Sequence, residues 1–158
     1  MATNTLKFDL KNADGTAKLA RVLSMNIQSG DTILLGGPVG SGKTHFARSF
    51  IKSLLITDED VPSPTFTLVQ TYETQIGEVW HADLYRLSTE QEIEELGLSD
   101  AMTEAVCLIE WPDRLGSYTP TDALSIDIKP LSALDERCLT ARWSHPKWTA
   151  KTRGWQHD

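Results

Sequence analysis

The stretch Thr32-Ile33-Leu34-Leu35-Gly36-Gly37-Pro38-Val39-Gly40-Ser41-Gly42-Lys43-Thr44 decides the fold. Its first four residues form a short, uninterrupted run with β-branched members, the pattern of a buried strand. Gly37 to Thr44 then matches G-x-x-x-x-G-K-[ST], and Phe46, Phe50, Ile51, Leu54 and Leu55 keep helical spacing between Lys43 and Leu55. In the order strand, glycine loop, helix, successive backbone N–H groups and the positive end of the helix converge on phosphate oxygens. A side chain at the glycines would keep the backbone from closing around those oxygens. Pro38 lacks an N–H, but the expected donors lie later in the loop. Lys43 reaches the β- and γ-phosphates as a point charge, and the Thr44 hydroxyl takes a Mg²⁺ coordination position.

Around this loop lie 158 residues, 40% hydrophobic and 23% charged, an ordinary balance for one compact domain. A net charge of −7 has the wrong sign for a domain living on nucleic-acid backbone contacts. No signal-like segment opens the chain and no long apolar run follows, so a cytoplasmic protein without a membrane anchor is expected. Cys107 and Cys138 show no metal-ligand spacing and read as buried reduced thiols.

Upstream, Leu6 to Leu10 reads as a strand, and Asn12 or Asp14 caps a helix carrying Ala17, Ala20, Leu23 and Ile27. Downstream, Thr65 to Glu73 and Glu78 to Leu84 read as a β-hairpin around Thr74 to Gly77. An acidic helix opens at Thr89, with Glu92 as capping-box partner, and stops at Gly97. Ala105 to Ile109 is another buried strand, and Asp122 to Ile128 with Glu136 to Trp143 close the sheet. The expected fold is α/β, a P-loop NTPase-like three-layer sandwich whose mixed sheet includes a hairpin. One domain is expected over residues 1–143, with an irregular tail at 144–158.

A phosphate loop needs a carboxylate beside its magnesium, usually ending a buried strand. Glu110, after Ala105-Val106-Cys107-Leu108-Ile109, fits that role or else marks the strand's exit into solvent. Asp113-Arg114-Leu115-Gly116 spells DxxG, but Pro112 breaks its register, and no NKxD run is present to read guanine, which leaves adenine. Strand alternation puts His81, Asp83 and Tyr85 on one face, where Asp83 could act as general base or orient water, or where the face could simply be solvated. Thr65 sits where a γ-phosphate sensor is found in other phosphate-loop proteins. Arg86 either supplies charge to a transition state or a partner, or pairs with Glu90 on the surface. Trp143, Trp148 and Trp155 with Lys147, Lys151 and Arg153 suit a protein interface, stacking on single-stranded RNA, or packing on their own domain.

The phosphate loop, Ser63-Pro64-Thr65-Phe66, His81-x-Asp83-x-Tyr85-Arg86 and Leu108-Ile109-Glu110-Trp111-Pro112-Asp113-Arg114 together resemble the bacterial tRNA threonylcarbamoyladenosine biosynthesis ATPase family, TsaE. The resemblance runs from about Leu10 to Trp143. It implies a compact fold that binds ATP and Mg²⁺, hydrolyses ATP weakly alone, and acts with the partners TsaB and TsaD. Those partners modify adenosine 37 of tRNAs reading codons that begin with A, so contact with tRNA is indirect. On this likeness the cofactor-binding residues are Val39, Gly40, Ser41, Gly42, Lys43, Thr44, His45 and Trp111. Thr44 and Glu110 hold metal, and Lys43, Thr65 and Asp83 serve hydrolysis. The commoner family loop reads GDLGAGKTT, whereas this chain has Pro38, Val39, Ser41 and His45, which touches affinity and rate more than binding. A nucleotide-dependent scaffold and a small-molecule kinase are the alternatives.

Overall fold

A computed structural model describes residues 2–156; the last two positions of the expected tail lie outside the described residues. Seven strands form one sheet in the order β1-β7-β6-β2-β5-β4-β3. They are β1 (Asn4–Leu10), β2 (Thr32–Gly36), β3 (Val69–Thr74), β4 (Gly77–Asp83), β5 (Val106–Glu110), β6 (Leu124–Pro130) and β7 (Arg137–Trp143). At its centre β2 runs parallel to both β5 and β6, and β4 runs parallel to β5. The flanking pairs β3–β4, β6–β7 and β1–β7 are antiparallel.

The two apolar strands read from sequence are central because nothing polar along them needs water. Period-two alternation sends Ile33 and Leu35 of β2 to one face, with Val106 and Leu108, and Leu34 to the other, with Cys107 and Ile109. Helices α1 (Ala13–Ser24) and α2 (Lys43–Lys52) cover the first face through Leu19, Leu23, Phe46, Phe50 and Ile51. Helices α3 (Gln91–Glu95) and α4 (Leu98–Glu104) cover the second through Ile93, Leu98 and Ala101. Three layers result. Each fully buried Leu, Ile or Phe contributes roughly 1.5–3 kcal/mol, so both covered faces hold the strand ends that carry the site.

Several boundaries differ from the sequence reading. Asn12 is the cap of α1, its Oδ1 accepting from the N–H groups of Asp14 (3.0 Å) and Gly15 (3.3 Å). Helix α1 ends at Ser24 and α2 at Lys52, yet Ile27, Leu54 and Leu55 stay buried in the turns beyond them. Their apolar spacing reflects burial and not helix, and Leu55 bridges to Thr74 of the hairpin. The hairpin starts at Val69 and not Thr65, because Leu68 takes a left-handed φ of 67° and its N–H closes a turn onto Pro64 O at 2.7 Å. Glu92 does reach back to the Thr89 N–H at 3.1 Å, but α3 starts only at Gln91. Gly97 stops α3 with φ 79° and at once starts α4, a helix the sequence reading missed.

The largest correction concerns the tail. Residues expected to be irregular form α5 (Lys147–Lys151) and a 3-10 turn (Arg153–Gln156) packed on the face that α1 covers. Trp148 is fully buried and its indole N–H donates to Asp122 O at 2.7 Å; Trp155 donates to Leu19 O at 2.9 Å and meets Phe8 edge-on. Lys147 and Lys151 both pair with the buried carboxylate of Asp31. Apart from the exposed Arg153, the aromatic and cationic side chains that suggested an interface or RNA stacking are therefore spent within the chain. Both cysteines are free, and burial pushes the Cys107 thiol up to about 12. No helix among the described residues is long and apolar enough to cross a membrane.

Candidate nucleotide site

Strand register builds the site. Glu110, the last residue of β5, lies opposite Leu35 of β2 on one side and Asp83 of β4 on the other. Three parallel strand ends thus converge where the glycine loop leaves β2. At Gly37, φ is 132° and an added Cβ would lie 2.2 Å from Ile128 O, so only glycine fits. Gly40 and Gly42 also have left-handed φ, 78° and 109°, but face open space. No side chain caps α2 at Gly42, which leaves its first-turn N–H groups aimed outward for a ligand.

Lys43 is buried, its ammonium donating to Gly37 O (2.6 Å) and Pro38 O (3.0 Å) and lying 4.1 Å over the Trp111 ring. Desolvation holds its pKa below the usual lysine value, opposed by the carboxylates of Glu110, Asp83 and Asp113. Glu110 is 2% exposed, which removes the reading of a strand leaving into solvent. The Thr44 hydroxyl donates to its carboxylate, 2.9 Å from Oε1 and 3.0 Å from Oε2. Asp83, also buried, accepts from the Thr65 hydroxyl at 3.2 Å and from the Tyr85 N–H at 3.0 Å. Tyr85 lies beyond the strand end, half out in solvent, with its ring 4.9 Å from Trp111. The face of His81 and Asp83 is not a solvated strand face, since β4 is flanked on both sides and both residues are buried.

Val39 to His45, Ser63, Thr65, Asp83, Tyr85, Glu110 and Trp111 line one cavity of about 590 Å³, within the size range of small-ligand sites. The residues expected to hold nucleotide and metal and to serve hydrolysis all lie on it, whereas Arg86 does not. Arg86 does not pair with Glu90: its guanidinium lies 5.1 Å over the Phe66 ring, and Glu90 instead accepts from the Ser117 N–H and hydroxyl at 2.6 and 2.7 Å. Asp113 of the DxxG run is exposed and outside the cavity lining.

The model of the threonylcarbamoyl adenosine biosynthesis protein TsaE matches residues 10–138. The chain belongs to the TsaE family. The tRNA threonylcarbamoyladenosine biosynthesis protein TsaE of Bacillus subtilis is 36% identical over 136 residues, covering 85% of this chain and 84% of that one. The protein of the same name from Rickettsia felis is 36% identical over 129 residues, covering 82% and 75%. The crystal structure of Bacillus subtilis YdiB superposes with a TM-score of 0.80 at 26% identity, over 99% of this chain and 97% of that one.

In this TsaE-family site Arg137 escaped the sequence reading, and His81 was placed beside Asp83 without a role. His81 is fully buried with Nε2 2.7 Å from Glu110 Oε2. Its Nδ1 has no hydrogen-bond partner among the described residues, so the tautomer that carries the proton on Nε2 donates to the carboxylate. The available signal was its place two residues before Asp83, on the same strand face. Arg137, the first residue of β7, donates from Nε to Ser41 O (3.1 Å) and from Nη2 to Gly40 O (3.3 Å). Nothing local in the sequence marks it.

The donor set suits a hard divalent cation. A hydroxyl and a carboxylate stand side by side, and among the described residues no group of three or more His, Cys, Asp and Glu side chains forms a cage. Mg²⁺ commonly takes one or two protein oxygens and completes its octahedron with phosphates and water.

Proposed function

We propose that the chain is an ATP-binding, Mg²⁺-dependent ATPase subunit that serves threonylcarbamoylation of adenosine 37 in tRNAs reading codons beginning with A, in the cytoplasm, with TsaB and TsaD. Membership of the TsaE family supports the pathway. The observation that carries the chemistry is the Thr44 hydroxyl seated on the Glu110 carboxylate, beside a buried lysine and an uncapped helix start.

In this reading Lys43 and the N–H groups from Gly40 to Thr44 bind the phosphates, while Thr44 and Glu110 hold the cation. When bound, Mg²⁺ neutralises charge that develops on the phosphoryl oxygens. Asp83 orients the attacking water and takes its proton, with Thr65 fixing the carboxylate that faces the γ-phosphate. Trp111 walls the phosphate end of the cavity. Contact with tRNA runs through the partners, in keeping with the net acidic charge.

The test is ATP turnover with and without TsaB and TsaD. Turnover rises with the partners, and Lys43→Ala abolishes it without unfolding the chain. Hydrolysis that partners leave unchanged supports a scaffold in which ATP only sets a conformation. Phosphate appearing on an added metabolite supports a kinase.

A further inference from the structure

We infer that Arg137 is a positioning residue that sets the direction of the phosphate-binding N–H groups by holding their peptide planes from behind. The inference rests on the reading of Gly37 to Thr44 as a phosphate loop.

In a planar trans peptide, the carbonyl of one residue and the N–H of the next point in opposite directions. A donor that grips Ser41 O therefore sets the Gly42 N–H, and one that grips Gly40 O holds the preceding plane, whose Ser41 N–H closes a turn onto Pro38 O at 3.2 Å. Arg137 does both, through Nη2 at 3.3 Å and Nε at 3.1 Å, while its Nη1 donates to Glu136 O at 2.9 Å. All three guanidinium nitrogens are occupied, so the plane of the group is fixed.

The loop needs such a hold. Each of the two peptides has glycine on one side, Gly40 before the first and Gly42 after the second, both at positive φ with open space around them. Glycine passes between left- and right-handed conformations at little cost, so the Ser41–Gly42 plane can flip and present its carbonyl to the cavity in place of its N–H. A carbonyl oxygen facing a phosphate is repulsive. The guanidinium counters the flip by lying on the outer side, where the oxygens must stay for their charge-assisted bonds to survive.

The anchor behind the fork is stiff. Arg137 pairs with Pro130 of β6 and with Leu10 of β1, so the hold on the loop comes from the antiparallel wing of the sheet. A second strap reaches the same wing, as His45 of α2 donates from Nε2 to Ala13 O at 3.0 Å, just after β1. A lysine at position 137 keeps the charge but offers no planar fork to two carbonyls at once.

The experiment is titration calorimetry of Mg·ATP and of Mg·pyrophosphate against the full chain and against Arg137→Gln and Arg137→Lys, with ligand-free melting curves for all three. The expected result is a loss of roughly tenfold in affinity for both ligands in both variants, as for a lost hydrogen bond from a charged donor. The equal loss for pyrophosphate is the readout that a general weakening of the fold does not produce, since such weakening shows in the ligand-free melting curve. Wild-type affinity for pyrophosphate in Arg137→Gln overturns the inference. So does a loss confined to Mg·ATP, which would place Arg137 against the nucleoside. Full affinity in Arg137→Lys, the variant that keeps the aliphatic stem should the glutamine form fail to fold, reduces the role to charge and overturns it too. A wild-type chain that binds neither ligand overturns the phosphate-loop reading together with the inference.

Discussion

Replacing Glu110 by glutamine separates the cation site from the strand that carries it. The amide keeps the shape of the side chain and one oxygen for the Thr44 hydroxyl. The other edge meets His81, whose Nδ1 lacks a partner in either case, so the imidazole can exchange tautomers and accept from the new NH₂ at no cost in pairing. The ligand-free fold should therefore survive. What goes is the charge. Unit charges about 4 Å apart at an effective dielectric constant of about 20 interact by about 4 kcal/mol. Dehydrating both groups offsets much of that. A charge-assisted contact of about 1.5–3 kcal/mol remains, or roughly 10- to 100-fold in affinity. Calorimetry with ADP, in Mg²⁺ and in EDTA, isolates the effect. Magnesium should tighten ADP binding by the wild type and hardly at all by Glu110→Gln, whereas metal-free affinity should hold or improve once a carboxylate no longer faces the phosphates. An equal Mg²⁺ enhancement in both proteins would refute the assignment of Glu110 to the metal.

Three further outcomes follow from the same geometry. Asp83→Asn should leave ADP affinity unchanged and slow partner-stimulated hydrolysis by roughly 10²- to 10⁴-fold, the usual contribution of a positioned base; normal turnover would remove Asp83 from the reaction. Lys43 has its pKa lowered chiefly by desolvation, and bound phosphates raise it again. Nucleotide binding at alkaline pH should accordingly take up a proton, seen as a dependence of calorimetric heat on buffer ionisation, and affinity should fall as pH rises through the ligand-free pKa. Heats independent of buffer there would show that Lys43 does not face the phosphates. Trp148→Ala should cost about 3–5 kcal/mol in urea unfolding, as for other buried aromatics cut to alanine; a loss under about 1 kcal/mol would mean that α5 is not part of the folded core.

The sheet centre and the glycine loop were legible because local rules agree there: apolar run, turn residues and helical spacing all point one way. Glu110 was legible as a strand end and Asp83 as part of a polar strand face. Their adjacency was not, because it depends on a parallel register between segments distant in the chain. Arg137 and the role of His81 stayed hidden for the same reason, since each acts on a partner brought to it only by sheet order. In the tail, Trp148 and Trp155 are separated by a break between α5 and the 3-10 turn, so no single period joins them. Gly97 was legible as the stop of α3, but α4 was not, because the same left-handed glycine also starts that helix.

The two carboxylates differ in what holds them, in step with the roles proposed for them. Glu110 accepts from a hydroxyl on α2 and from a histidine sealed in the sheet, and both donors sit on elements anchored in the core. Asp83 has one backbone donor and one hydroxyl, and that hydroxyl belongs to Thr65 in the loop between α2 and β3, where Phe66 is 84% exposed. The half proposed to hold metal is therefore set before any ligand arrives, while the half proposed for water and the γ-phosphate depends on a surface loop with few buried contacts. Binding without fast turnover is the expected behaviour of such a pair, and whatever braces the loop around Thr65 governs the rate.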